Sequence, residues 1–358
     1  MKASVSIGIN FRDKFVRLMV ASRAGGFGFS TCGVRISISL SFISVCLLAL
    51  VGCSPKAETP SGLRRVVLQT DWFPQAEHGG FYQALAKGYY REVGLDVEIV
   101  SGGPGAAIKL KVAKGDADFG MLRSDDTALA VSRGLPLMLI GATMQHDAEA
   151  LLVHESSPVR DFGDLDGRTI MAPLSMAWIP FIQKKYGINF SLIPTTYGLA
   201  TFLGDKNFIQ SCFLTSEPFY ARKQGLAVRV LPLTAAGYDV YQGIVCRRKL
   251  ISAEPEMVRA FLAATIRGWR DYLTQNPAPA DAVILARNGN MTQEQLDYSR
   301  KALIEYALVA GYPEKGEGIG LLDLQRLQRE VDVLREFNIL ELPFRVDDFA
   351  TTDYLPGM

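Results

Sequence analysis

The chain has 358 residues, with 38 Lys and Arg against 37 Asp and Glu, a formal net charge of +1 and 48% hydrophobic residues. That balance lacks the basic surface wanted for nucleic acid, so nucleic acid is excluded as a partner. His78, His146 and His154 are isolated and no CxxC occurs, which leaves no metal-ligand spacing and points to no metal and no cofactor.

The first readable element is an apolar, serine-bearing run of 17 residues, Ile36 to Gly52, after Arg35 and ending at Cys53. A basic flank, a hydrophobic stretch and small residues before a cysteine form the lipobox pattern of bacterial lipoproteins. On this reading 1–52 is a signal peptide and Cys53 is the lipidation site, holding the protein to a membrane and facing the periplasm or exterior. The alternative is a membrane-spanning helix, for which this length is the lower limit. The long basic region also leaves Met19 open as the start. Residues 1–52 carry six basic residues and one acid, so their removal takes the formal charge from +1 to about −4. Cys32 and Cys46 leave with them, and Cys212 and Cys246 read as two buried free thiols rather than a disulfide.

A linker at 53–63, rich in Pro, Ser and Thr, precedes about 295 residues, enough for two lobes with separate cores. Val66 to Leu68 is β-branched and apolar, Pro74 ends that strand, and Phe81, Leu85 and Tyr89 recur at helical spacing. Asp71, Trp72, Phe73, Glu77 and His78 therefore crowd one loop between a strand and a helix, where open α/β sheets border a ligand crevice. Next come a strand at Val97 to Val100, a glycine turn at Gly102, Gly103 and Gly105, and a helix at Ala106 to Lys114. A strand at Ala117 to Leu122, a helix at Asp125 to Arg133 and a strand at Leu135 to Ala142 follow. This alternation predicts a mostly parallel sheet.

A second set of units starts near Val159, with strands at Asp164 to Pro173, Ser191 to Thr195 and Phe208 to Thr215. Helices at Trp178 to Tyr186 and Glu217 to Gln224 lie between and after them. Tyr241 to Val245 reads as a connecting strand, and amphipathic helices at Glu256 to Thr274, Gln293 to Val309 and Leu322 to Phe337 pack back on the first lobe. The fold class is α/β, two lobes with two hinge crossings and a cleft between them. The expected boundaries are 64–156 with 244–340 for lobe 1, 157–243 for lobe 2 and 341–358 for a tail.

The chain resembles the formylaminopyrimidine-binding and thiamine-pyrimidine-synthase-like family of periplasmic binding proteins. The resemblance covers roughly Val66 to Phe337. It rests on the DWFPQAEHGGFY run from Asp71, on VSGGPGAAIKLKVAKGDADFGM from Val100, and on the C-F-x-x-x-E-P-F run from Cys212 to Phe219. It implies a type 2, two-lobed binding protein, a monomer without catalytic activity, that delivers a small-molecule solute to the permease and ATPase subunits of an ABC importer. The solute expected first is a thiamine pyrimidine precursor, formylaminopyrimidine or hydroxymethylpyrimidine. Riboflavin and an alkanesulfonate or taurine are the alternatives.

Trp72, Phe73 and Tyr197 are flat faces at strand ends, suited to sandwiching a planar ring. Glu217 starts a helix after a strand and can point a carboxylate into the cleft; the resemblance implies that it bonds an aminopyrimidine, while the simpler role is compensation of the helix end. Asp71 is a second acid. His78 can donate to a carbonyl or phosphate. Ser124 can bond the ligand or cap a helix, and the Gly102, Gly103, Gly105 turn offers backbone N–H groups to an anion. The rival reading is an enzyme, since fungal relatives make the thiamine pyrimidine with a cysteine cluster, a histidine and a cofactor-bearing lysine. Here the cluster position shows only Cys212, and the run from Asp71 to His78 has no lysine. A lipoprotein that scaffolds or senses would share the same cleft.

Overall fold

The computed structural model describes residues 62–340 and 343–356; the signal and lipidation segment lies outside them. Ten strands form two five-stranded sheets. The first, in order β2-β1-β3-β10-β4, uses β1 (Arg64–Gln69), β2 (Leu95–Val100), β3 (Phe119–Arg123), β4 (Leu137–Met144) and β10 (Gln242–Arg247). The second, in order β7-β6-β8-β5-β9, uses β5 (Glu149–His154), β6 (Thr169–Ala172), β7 (Ser191–Pro194), β8 (Ile209–Phe213) and β9 (Val228–Pro232). β1 runs parallel to β2 and β3, whereas β10 is antiparallel to β3 and β4. β6 runs parallel to β7 and β8, and β5 is antiparallel to β8 and β9. Each sheet thus has four strands in one direction and one reversed, and the reversed strand is the first to enter from the other lobe.

β5 and β9 have no counterpart among the expected elements. β5 is buried along its whole length and begins in charge, so it lacks the alternation that marks a half-exposed strand. The crossings explain the boundaries. The chain passes between lobes at 145–148, which holds neither Gly nor Pro, and again at 233–241. The boundary expected at 156/157 therefore falls after β5, and that at 243/244 falls inside β10. In the first crossing His146 Nδ1 lies 2.8 Å from Asp239 of the second, and its Nε2 lies 3.0 Å from Glu317. Arg326 pairs with both acids, so the crossings are tied side by side.

Helices cover the sheets. α1 (Gly79–Ala86), α2 (Tyr89–Glu92), α3 (Ile108–Lys114) and α4 (Ser124–Ser132) follow strands of the first sheet, and α5 (Trp178–Tyr186), α6 (Ala200–Gly204) and α7 (Glu217–Lys223) those of the second. After β10 come α8 (Arg248–Ala253), α9 (Pro255–Thr274), α10 (Ala278–Arg287), α11 (Gln293–Glu305) and α12 (Leu324–Glu336). α1 packs on α9 and α10, and α12 on α4. The Gly79-Gly80 pair owes its place to this packing rather than to a ligand: a Cβ on Gly80 would stand 2.1 Å from the Trp269 ring, and one on Gly268 would stand 2.2 Å from the Gly80 carbonyl oxygen. Phe261 of α9 stacks on Phe119, centroids 3.9 Å apart, which locks the helix to the sheet.

The last segments depart from the expected arrangement in two ways. α11 reaches the second lobe as well as the first, since Tyr298 donates to the Leu214 carbonyl and Ser299 to the Thr215 carbonyl. The expected tail joins the sheet: Leu139 of β4 donates to Phe349 and accepts from Thr351, covering an edge that would otherwise expose unpaired backbone.

A candidate ligand cleft between two lobes

A cavity of about 590 Å³ lies where the carboxyl ends of both sheets face each other. Strands β1, β3 and β4 contribute Asp71, Arg123 and Met144 at or beyond their ends, and β7 and β8 contribute Thr195 and Cys212. Both lobes are needed to complete it, as the topology of an open α/β sheet requires.

Aromatic side chains close the mouth. Trp72, from the loop after β1, meets Tyr197 of the other lobe with ring centroids 4.9 Å apart and planes at 44°, and Phe73 meets Trp72 edge-on at 5.6 Å. A planar ring held between two faces needs them about 7 Å apart and nearly parallel, two contact distances of about 3.5 Å. The expected sandwich between Trp72 and Tyr197 is therefore not the arrangement here; the rings touch one another and cap the cleft. Tyr197 is 55% exposed and holds a left-handed backbone (φ 57°), an uncommon and costly state for a non-glycine residue. Phe73, 47% exposed, rests over Gly103, where a Cβ would come within 3.0 Å of its ring.

The glycine turn is used internally. Gly102 N–H donates to the Trp72 carbonyl, Gly103 N–H donates to the Asp71 carbonyl, and a Cβ on Gly102 would lie 2.4 Å from the Asp71 backbone. Those donors face the loop rather than an anion, and Gly105 only supplies a positive φ. Ser124 is likewise placed elsewhere. It is fully buried, donates to Glu330 and accepts from Tyr241 N–H, which ties α4 to α12 and β10 away from the cavity.

His78 is also fully buried and is not on the cavity wall. Its Nε2 lies 2.8 Å from Asp71 Oδ1, and Gln242 donates to Asp71 Oδ2 at 2.6 Å. His78 therefore orients Asp71, and Asp71 is the side chain that lines the cleft. Glu217 lines it too, but Oε2 accepts from Phe213 N–H at 2.8 Å, so it stabilises the β8–α7 turn at the same time. Burial pushes the Glu217 carboxyl up to about 6. A folded-state value above the ordinary 4.5 stabilises the fold below that pH and loses the contribution as pH rises through 6. Between pH 4.5 and 6.5 the unliganded protein should lose on the order of 1–2 kcal/mol from this group. Melting curves across that range should be flatter for Glu217→Gln; identical slopes would count against a perturbed Glu217.

The floor holds a cluster that residue spacing alone does not reveal. Arg123 at the end of β3 donates to Asp147 through both terminal nitrogens at 3.0 Å, to Glu149 at 3.1 Å and to Asp125 at 3.2 Å. Trp178 Nε1–H donates to the other Glu149 oxygen at 3.0 Å. Burial raises both Asp147 and Glu149 despite the guanidinium. The one signal in the chain is the run from His146 to Glu149, three titratable side chains within four residues at a lobe crossing. Glu77, Gln210 and Gln295 also line the cavity. Six of the lining residues carry carboxyl groups and one, Arg123, carries a guanidinium. Cys212 is on the wall as a buried free thiol, and Cys246 is buried and free in the first sheet.

A family model described as NMT1/THI5 like matches residues 75–280, more than half of the chain. The chain is 25% identical over 320 residues to the riboflavin-binding protein RibY of Chloroflexus aurantiacus, covering 85% of this chain and 90% of that one. It is 23% identical over 328 residues to the formylaminopyrimidine-binding protein of Halalkalibacterium halodurans, covering 87% and 97%. It is also 23% identical over 235 residues to a 4-amino-5-hydroxymethyl-2-methylpyrimidine phosphate synthase, THI11 of Saccharomyces cerevisiae, covering 60% and 69%. Among solved structures, the alkanesulfonate-binding protein SsuA from Xanthomonas axonopodis pv. citri, bound to MOPS, matches with a TM-score of 0.60 at 14% identity, covering 83% of this chain and 100% of that one. That likeness is one of fold.

Proposed function

The chain belongs to the NMT1/THI5 like family, and on that premise we propose that it is the solute-binding component of an ABC importer, capturing a planar nitrogen heterocycle without transforming it. In this reading it is anchored to a membrane through acylated Cys53, facing the periplasm or exterior, and hands its cargo to permease and ATPase subunits. The solute we place first is a thiamine pyrimidine precursor. One observation carries this reading: the cleft combines an aromatic cap with a lining that holds six carboxyl groups and a single guanidinium. Such walls suit a flat ligand that presents N–H donors or positive charge, and they oppose a sulfonate or phosphate anion. The formylaminopyrimidine-binding relative, matched over nearly its full length, supports the same ligand class.

Two features of the cleft weigh against the enzyme reading. No lysine is among the residues lining the cleft, and burial pushes the Cys212 thiol well above its usual value, which leaves it a poor nucleophile. A flavin is the second reading. A cavity of about 590 Å³ falls in the range of sites for ligands larger than one pyrimidine ring, and the RibY relative is named for riboflavin.

A thermal-shift screen of the purified chain tests this against hydroxymethylpyrimidine, formylaminopyrimidine, riboflavin and an alkanesulfonate. Ligand at about one hundred times its dissociation constant adds about 2.7 kcal/mol, a rise of roughly 5–10 °C for a protein of this size. A shift with the sulfonate alone would reject the heterocycle reading.

A further inference from the structure

Three oxygens of cleft-lining side chains are buried and have no hydrogen-bond partner among the described residues: Glu77 Oε2, Gln210 Oε1 and Gln295 Oε1. The side chains belong to residues only 5%, 2% and 2% exposed. They come from three separate parts of the fold: the 3-10 turn Ala76–His78 of the first lobe, β8 of the second, and α11, which touches both.

For Gln295 and Glu77 the orientation is set by what the other end of the group does. Gln295 Nε2–H donates to the Thr215 carbonyl at 2.9 Å and to Ser299 Oγ at 3.0 Å, so the amide oxygen is the end left over. Glu77 Oε1 accepts from the Thr215 hydroxyl, reaching from one lobe to the other, and Oε2 is thereby held in place. Thr215 thus gathers Glu77 and Gln295 at one point, just behind the lining residues it holds. All three unpartnered atoms are acceptors, and a buried acceptor is costly to leave without a donor. Burial also raises the Glu77 carboxyl, a shift that the Thr215 hydroxyl bond opposes without cancelling.

We infer that Glu77, Gln210 and Gln295 are specificity-determining residues that read a donor-bearing edge of the solute, an exocyclic amine together with a second N–H or a protonated ring nitrogen. This rests on the planar-heterocycle reading and narrows it: a heterocycle of the same outline with a carbonyl in place of the amine would set oxygen against oxygen and be rejected. Because the acceptors come from both lobes, the edge is read in full only when the lobes meet as they do here.

The test is calorimetric titration of the purified full chain with 4-amino-5-hydroxymethyl-2-methylpyrimidine and with its 4-oxo counterpart. The unaltered protein should prefer the amino compound by about 100-fold. Glu77→Gln keeps an acceptor for Thr215 and turns an amide N–H toward the cleft, so the preference should fall below about tenfold or reverse. Gln210→Met removes an acceptor at similar length and should lower the preference about tenfold, giving a second measure if the first variant folds poorly. Equal affinities in the unaltered protein, or an unchanged preference in both variants, would overturn the inference and leave the planar-heterocycle reading intact. Binding of neither compound would overturn the pyrimidine reading and this inference with it.

Discussion

Arg123→Met is expected to destabilise the protein by about 3–5 kcal/mol, the cost of breaking a buried ion cluster by removing one partner. The guanidinium is the shared partner of Asp125, Asp147 and Glu149, all of them buried. Methionine fills much of the same space but leaves three carboxyl groups facing one another, with Tyr238 donating to Asp125 as partial relief. For a protein of this length the loss corresponds to roughly 6–20 °C in melting temperature. Its pH dependence has a definite sign. Asp147 and Glu149 already titrate above their ordinary values, and without Arg123 they rise further, so acidification neutralises the repulsion. The melting deficit measured at pH 7.5 should therefore shrink at pH 5. A deficit below about 1 kcal/mol, or one that grows on acidification, would mean that the cluster does not hold the floor together.

Trp72→Ala should weaken every planar ligand tested by about 30- to 150-fold, equivalent to about 2–3 kcal/mol, the usual cost of truncating a central aromatic contact. The unliganded melting point should barely move. Trp72 is only half-buried, and the rings it touches, Phe73 and Tyr197, are themselves exposed. Removing the cap costs the fold little contact area while taking away the aromatic face proposed to meet the ligand. Affinities measured by titration for a pyrimidine and for riboflavin should fall together, since stacking does not distinguish between them. An affinity equal to that of the unaltered protein would take Trp72 out of the site.

Several of the cleft-lining residues are legible in the sequence because local chemistry marks them. The loop after β1 concentrates Asp71, Trp72 and Phe73 behind a strand and before a helix, and strand–loop–helix order is a short-range property. Glu217 is visible for the same reason, as a charge placed where a strand gives way to a helix. His78 and the glycine turn were marked by the same logic but serve the loop itself, because a histidine or a backbone N–H near a cleft is satisfied by whichever partner is closest. Ser124 shows the same: its partners, Glu330 and the Tyr241 N–H, are distant in sequence and adjacent in space.

The alternation of short apolar strands with amphipathic helices was enough to determine an α/β chain of two lobes with an aromatic loop at the edge of one sheet, since burying periodic apolar faces is decided within each segment. Only the tertiary structure decided which acids share Arg123, that α11 spans both lobes, and that Glu77, Gln210 and Gln295 meet one cavity with their oxygens unpaired. Those relations join residues up to about two hundred positions apart, and a hydrogen-bond partner at that separation leaves no periodic trace in the chain.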